Sequence, residues 1–234
     1  MTPSQLFKTN MQRWNYATWL NVEKGFLYIE TPKVACTKVK LTLQEISLLP
    51  LPENKENIHH RKNGDFVGSI GDHIDDCDLL LENKELLKFC FVRHPTERLV
   101  SAFKDKIQRS RGPFWERYRA KIRELLSLSD NSEIHFEHFV EWVRLTGDSS
   151  RDIHWRSQYN LLRPDVINYD RIGKMESFNK DFSEILNILG VPDTEKFVQG
   201  RENSTIKWPE VKTSSDTLSV IDEIYARDFQ FFGY

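Results

Sequence analysis

Fifteen consecutive residues, Phe26–Lys40 (FLYIETPKVACTKVK), constrain this chain more than any other stretch. The first five, Phe26 to Glu30, are strand-prone. The chain turns at Thr31-Pro32 and then changes to a helical rhythm, with Val34, Val39, Leu41, Leu43 and Ile46 as its apolar positions. A strand, a short polar loop and a helix start form the layout of an anion site. The first turn of a helix presents backbone N–H groups without intrahelical partners, and the positive end of the helix dipole lies there. Lys33, Thr37 and Lys38 add a cation, a hydroxyl and a second cation. The loop is therefore expected to hold the phosphate or sulfate end of a nucleotide.

A triphosphate cradle of the Walker type needs Gly-x-x-x-x-Gly-Lys-Ser/Thr, and TPKVACTK contains no glycine. A dinucleotide fingerprint is missing as well. A second strand–turn–helix unit follows instead. KFCFVR (88–93) reads as a buried strand ending at Arg93, and Pro95 suits the first turn of the helix ERLVSAFKDKI. That unit delivers Arg93 and Arg98 to a strand's carboxyl end, where open α/β sheets bind their ligands. His94, between Arg93 and Pro95, is expected to cap or pack. Arg98 is expected to meet either a phosphate or an acidic neighbour.

The remaining chain is read more coarsely. Residues 1–24 carry Trp14, Tyr16 and Trp19 and suggest a short helix. A helix from Thr37 to Leu48 is stopped by Pro50 and Pro52. Residues 53–75 are polar and glycine-bearing, a loop with His59, His60 and His73; His59 and His60 are as easily solvated surface residues as functional ones. Amphipathic helices are expected over 113–128 and 135–146, a short strand at Arg171–Met175, a helix from Asn179 to Leu189 and a last helix from Ser215 to Phe229.

Composition excludes several classes. A hydrophobic fraction of 39% allows a substantial core, and a net charge of −2 argues against a partner read mainly through nucleic-acid phosphates. Three cysteines, Cys36, Cys77 and Cys90, make no disulfide framework. No apolar run reaches the ~18 residues of a membrane span, and the N-terminus lacks a signal-peptide pattern. The expectation is a soluble, cytoplasmic protein, with a trimmed piece of a longer lumenal chain as the alternative.

Here the sequence resembles a known family. PKVACTKVK is similar to the 5′-phosphosulfate-binding loop of sulfotransferases, and FVRHPTERLVSAFKDK to their 3′-phosphate motif, with Arg93 and Ser101 eight residues apart (101 − 93). The wording of the second motif is nearest to carbohydrate sulfotransferases of the chondroitin and HNK-1 type. HWRSQYNLLRPDVINYDRIGKMESF and the ending YARDFQFFGY resemble two further blocks of that group, in the same order, so the resemblance covers residues 26 to 234. Two features depart from it: the animal Golgi members carry an N-terminal anchor and extra cysteines near the Pro-Asp-Val region. Leu161, Leu162 and Arg163 stand there in this chain. A bacterial-type relative is the expectation that follows.

The resemblance implies an α/β, nucleotide-kinase-like sulfotransferase fold, a short, mainly parallel sheet with helices on both faces. It would form one domain over residues 26–234 behind an N-terminal extension, 1–25. It implies 3′-phosphoadenosine-5′-phosphosulfate (PAPS) as donor, with no metal called for, and a hydroxyl acceptor, in the first instance a glycan. A non-carbohydrate alcohol and a catalytically silent nucleotide-binding module are the alternatives. Pro32, Lys33, Val34, Ala35, Cys36, Thr37 and Lys38 would wrap the phosphosulfate, with Lys33 at the bridging oxygen. Arg93 and Ser101 would meet the 3′-phosphate, and Arg201 would close over the nucleotide. A histidine suits the general base at neutral pH, and the candidates are His73 and His154, with an acidic residue as the alternative.

Overall fold

The computed structural model describes residues 1–61, 65–199 and 213–234. In chain order the helices are α1 (Pro3–Thr9), α2 (Met11–Ala17), α3 (Cys36–Ile46), α4 (Cys77–Glu82), α5 (Pro95–Ala102), α6 (Pro113–Leu125), α7 (Phe136–Leu145), α8 (Gln158–Leu162), α9 (Phe178–Ile188), α10 (Glu195–Val198), α11 (Ser215–Ile224) and α12 (Ala226–Phe232). The strands are β1 (Thr18–Asn21), β2 (Phe26–Ile29), β3 (Leu87–Val92) and β4 (Arg171–Lys174). The chain separates into two compact units. One comprises Met1–Val92 with Leu162–Thr205, the other Arg93–Leu161 with Ile206–Tyr234.

The first unit is a four-stranded sheet in the order β1-β2-β3-β4, flanked by helices. β1 is antiparallel to β2, while β2, β3 and β4 run parallel. Every residue of β2 and of β3 is buried, which explains their unbroken apolar runs. On one face Trp19, Tyr28, Phe89 and Phe91 pack with Val39 and Leu43 of α3 and with Phe178, Phe182 and Ile185 of α9. Each such buried side chain contributes about 2 kcal/mol of burial free energy. Lys88 is buried in β3, where its ammonium pairs with Asp170 at 3.0 Å and donates to the Leu86 carbonyl at 3.0 Å. Gly173 on β4 sits under the Phe91 ring. A Cβ there would lie 2.3 Å from a ring carbon, so only glycine lets β4 pair beside Phe91.

The expected helix from Thr37 to Leu48 is α3, and it ends before the prolines do their work. Leu48 turns left-handed at φ 59°. The 53–75 loop contains two 3₁₀ turns, Lys55–His59 and Ile70–His73. It is fastened by the Gln44 amide, which donates to the Asp65 carbonyl at 2.6 Å, and by Arg61, which donates to the Asn15 carbonyl at 2.6 Å.

The second unit is helical. Its core joins Leu99 and Phe103, Ile122, Phe139 and Val143, Trp155, Ile221 and Tyr225. Two expected helices are modified. ERLVSAFKDKI is α-helical only to Ala102 and continues as a π-helix over Phe103–Arg109. The last helix breaks at Tyr225, which leaves helical geometry (φ −114°, ψ 24°) and donates its buried hydroxyl to the Trp155 carbonyl at 2.6 Å.

Candidate active site

In the first unit the site grows from the turn between β2 and α3. Pro32 through Ala35 bend the chain, and two residues do so with left-handed backbone, Lys33 at φ 75° and Ala35 at φ 60°. A non-glycine residue in that region carries about 1–2 kcal/mol of steric strain. Such strain persists only where the surroundings over-determine the backbone, and it concentrates at ligand-binding turns. The turn opens α3, whose eleven residues align their dipole on the loop. With no glycine in the turn, the left-handed conformations fall on Lys33 and Ala35.

Behind the loop lies a buried charged group. Glu30, which follows β2, pairs with Lys40 of α3, and both side chains are almost fully buried. The Lys40 ammonium also lies 3.1 Å from Nδ1 of His59, and Nε2 of His59 lies 2.8 Å from the Thr37 hydroxyl. The rings of Tyr16 and Trp19 stand 5.1 and 5.3 Å from the same ammonium. Burial, then the neighbouring Glu30 carboxylate, pushes the Cys36 thiol up to about 11, so it stays protonated and unreactive at neutral pH. Glu30, Cys36 and His59 bring ligand-type atoms within 4.8 Å of one another. Lys40 already supplies the cation of that cluster. Lys38, expected as a second donor-binding cation, is buried and donates to the Gln199 carbonyl at 2.6 Å.

In the second unit Arg93 is held by its backbone. The Gln158 side chain accepts from the Arg93 N–H at 2.9 Å and donates to the Arg93 carbonyl at 2.8 Å. Gln158 is itself placed by Asp228, a buried carboxylate that accepts from the N–H groups of Gln158 and Tyr159, both at 2.8 Å. Desolvation raises the Asp228 carboxyl above the usual range, against the pull of those two N–H groups and of Arg98. The guanidinium of Arg93 is a quarter exposed and stands 3.6 Å from Glu97. Ser101 is half-buried two turns along α5. Arg98 is buried, donates to the carbonyls of Ile153 and Arg156, both at 2.8 Å, and feels the Asp228 and Asp148 carboxylates, so it shapes the turn carrying His154. His94 packs edge-on to Phe229 and Tyr234.

The two histidine candidates differ sharply. His73 is exposed at the end of its 3₁₀ turn. His154 is half-buried, edge-on to Trp115, with Nδ1 2.5 Å from Asp152. Desolvation pulls the Asp152 carboxyl upward, but the hydrogen bond, charge and backbone N–H of His154 outweigh it, and Asp152 titrates below its ordinary value. An imidazole that donates Nδ1–H to a carboxylate presents Nε2 as an acceptor, the arrangement of an oriented base. Arg201 lies outside the described residues.

The sequence leaves His59 undecided and gives no role to Glu30, Lys40, Asp152, Gln158 and Asp228. Two of them had a visible signal, since Gln158 and Asp228 stand inside the motif blocks HWRSQ and YARDF.

Comparison with known proteins agrees with this layout. Residues 16–234 match the sulfotransferase family, and the chain belongs to it. Among its relatives are mouse carbohydrate sulfotransferase 12 (28% identical, over 90% of this chain and 58% of that protein) and zebrafish carbohydrate sulfotransferase 14 (29%, over 92% and 61%). Human carbohydrate sulfotransferase 9 is 30% identical over 89% of this chain and 51% of that protein. The chain thus spans about half to three fifths of the length of these relatives. No solved structure matches it. The expected cytoplasmic, bacterial-type setting is corrected by these matches: the relatives are animal carbohydrate sulfotransferases, the group whose Golgi members the resemblance invoked. Among the described residues no helix is long and apolar enough to cross a membrane.

Proposed function

We propose that this member of the sulfotransferase family transfers a sulfuryl group from PAPS to a hydroxyl of a carbohydrate. The observation that carries the reading is the strained turn of Lys33 and Ala35 at the start of α3, an anion-binding backbone built without glycine. The names of the relatives supply the acceptor class.

In this reading the turn's N–H groups and Thr37 take the 5′-phosphosulfate, and Lys33 stabilises the oxygen that bridges phosphorus and sulfur. Arg93 takes the 3′-phosphate by a charge-assisted contact, with Ser101 adding a hydroxyl. The acceptor oxygen attacks sulfur in line, the bridging S–O bond breaks, and adenosine 3′,5′-bisphosphate leaves with the electron pair. His154, oriented by Asp152, removes the acceptor's hydroxyl proton; a positioned base of this kind is worth about 10²–10⁴-fold in rate.

A thermal-shift series tests the donor. Adenosine 3′,5′-bisphosphate is expected to raise the melting temperature, while ATP and AMP leave it near its starting value. Equal shifts with all three nucleotides would sink the assignment. Labelled PAPS offered with a panel of glycans and simple alcohols then reads the acceptor class, and transfer confined to the alcohols would overturn the carbohydrate half of the proposal.

A further inference from the structure

We propose that His59 is a positioning residue that sets the Thr37 hydroxyl as a hydrogen-bond donor to the 5′-phosphosulfate, through a buried relay Glu30–Lys40–His59–Thr37. The inference rests on the donor reading above, but its geometry lies wholly within the first unit.

The direction of each bond follows from what each group can do. Lys40 lies against the Glu30 carboxylate, and an amine paired with a carboxylate in a buried setting stands as an ammonium. An ammonium can only donate. Nδ1 of His59, 3.1 Å from it, must therefore accept. A neutral imidazole that accepts at Nδ1 carries its proton at Nε2. That N–H points at the Thr37 oxygen 2.8 Å away. An oxygen that accepts from His59 becomes a better donor through its own O–H, since bonds in a chain polarise one another at low dielectric. Thr37 is the second residue of α3, where an anion held by the loop's N–H groups would meet its hydroxyl. Three described neighbours of this imidazole are consistent with that order. The Glu30 carboxylate lies 4.0 Å from Nδ1, on the lysine side, and the Cys36 thiol is protonated. Arg61 is turned onto the Trp19 ring, 4.6 Å from its centre.

This gives the loop a selective element that its backbone lacks. N–H groups at a helix start receive an oxyanion through the backbone alone, whereas a hydroxyl held as a donor adds a side-chain contact of fixed direction to one of its oxygens. It also explains why a lysine and a glutamate are buried together just beyond the carboxyl end of β2. The pair's net worth to stability is small by itself, yet it locks a tautomer.

Two readouts test the relay. Long-range ¹H–¹⁵N spectra of the intact chain, with the His59 signals assigned by their loss in His59→Gln, report the tautomer. A protonated Nε2 and an accepting Nδ1 are expected; the opposite tautomer overturns the proposal whatever the nucleotide does. Calorimetric titration with adenosine 3′,5′-bisphosphate reads the consequence. Thr37→Val and His59→Asn should each weaken binding by about tenfold, which is ~1.4 kcal/mol. His59→Gln should bind within threefold of the parent chain, because its amide N–H2 reaches Thr37 where Nε2 does and that of asparagine does not. In the Thr37→Val background, His59→Asn should cost nothing further. Additive losses, or equal binding by Gln and Asn variants, overturn the relay. Parent chain that ignores the bisphosphate refutes the donor reading instead, leaving the tautomer measurement to judge the relay alone.

Discussion

The loop before α3 and the Arg93 turn before α5 are both strand-to-helix junctions, yet they are built in opposite ways. The first is local. The fifteen residues Phe26–Lys40 supply the strand, the strained turn, the helix start and both members of the Glu30–Lys40 pair. His59 comes from outside it, 22 residues beyond Thr37, as do the Tyr16 and Trp19 rings beside Lys40. The second is assembled from afar. Arg93 is clasped by Gln158, 65 residues on, and Gln158 is set by Asp228, a further 70 residues on. A local turn stores its requirement in backbone conformation. A remote clasp stores it in side-chain hydrogen bonds whose partners must first be brought together. The first should therefore be sensitive to residue conformational preference, and the second to removal of one buried acceptor.

The largest expected effect tests chemistry in the second unit. His154→Ala should lower kcat by about 10²–10⁴-fold with bisphosphate affinity unchanged, while His73→Ala stays near the parent rate. Should both variants keep full turnover, the base is neither histidine. Next comes the clasp. Asp228→Ala leaves two N–H groups of α8 without their acceptor and should cost about 3 kcal/mol in chemical denaturation. It should also weaken bisphosphate binding, since Gln158 no longer holds Arg93; a stable variant with unchanged affinity would separate Asp228 from the site. Arg93→Ala should reduce bisphosphate affinity by about 2 kcal/mol, roughly thirtyfold. Folding stability should hardly move, because the Glu97 partner is exposed and such pairs contribute little.

Smaller changes sharpen the contrast from the loop's side. Ala35→Gly relieves a left-handed alanine and should stabilise the fold by up to ~1 kcal/mol. A loss of stability there would mean the turn is not strained. The smallest effect is a pH dependence. The Asp152 carboxyl titrates lower in the folded chain than in the unfolded one, so its contribution is fully present above its unfolded value near 4 and is lost as the pH falls through the folded value. Asp152→Asn should therefore flatten the loss of melting temperature on acidification, and an unchanged slope would show that the His154 contact does not persist in solution.

What could be read in advance follows the same division. The parallel strands β2 and β3 and the helix starts after each were legible, because apolar runs and a proline at a helix start are local signals. Arg98 shows the limit. Its position in ERLVSAF is as consistent with a phosphate contact as with an ion pair to an acidic neighbour, and the burial that turns it onto the Ile153 and Arg156 carbonyls is not visible there. His59 shows the limit from the other side. In sequence it is one of two adjacent histidines in a polar loop, and nothing local distinguishes it from the exposed His60.

The sequence by itself therefore determined the family, the two strand-to-helix junctions and the residues that stand at them. Their signals lie within single turns of chain, where backbone preference and spacing act directly. Tertiary structure alone decided which of those residues are oriented. It closed Glu30, Lys40, His59 and Thr37 into one buried relay, gave His154 its carboxylate, and hung Arg93 from Asp228 through Gln158. The reason is physical. A buried polar group must find a partner, and the partner that satisfies it is fixed by which segments pack together, not by their separation in sequence.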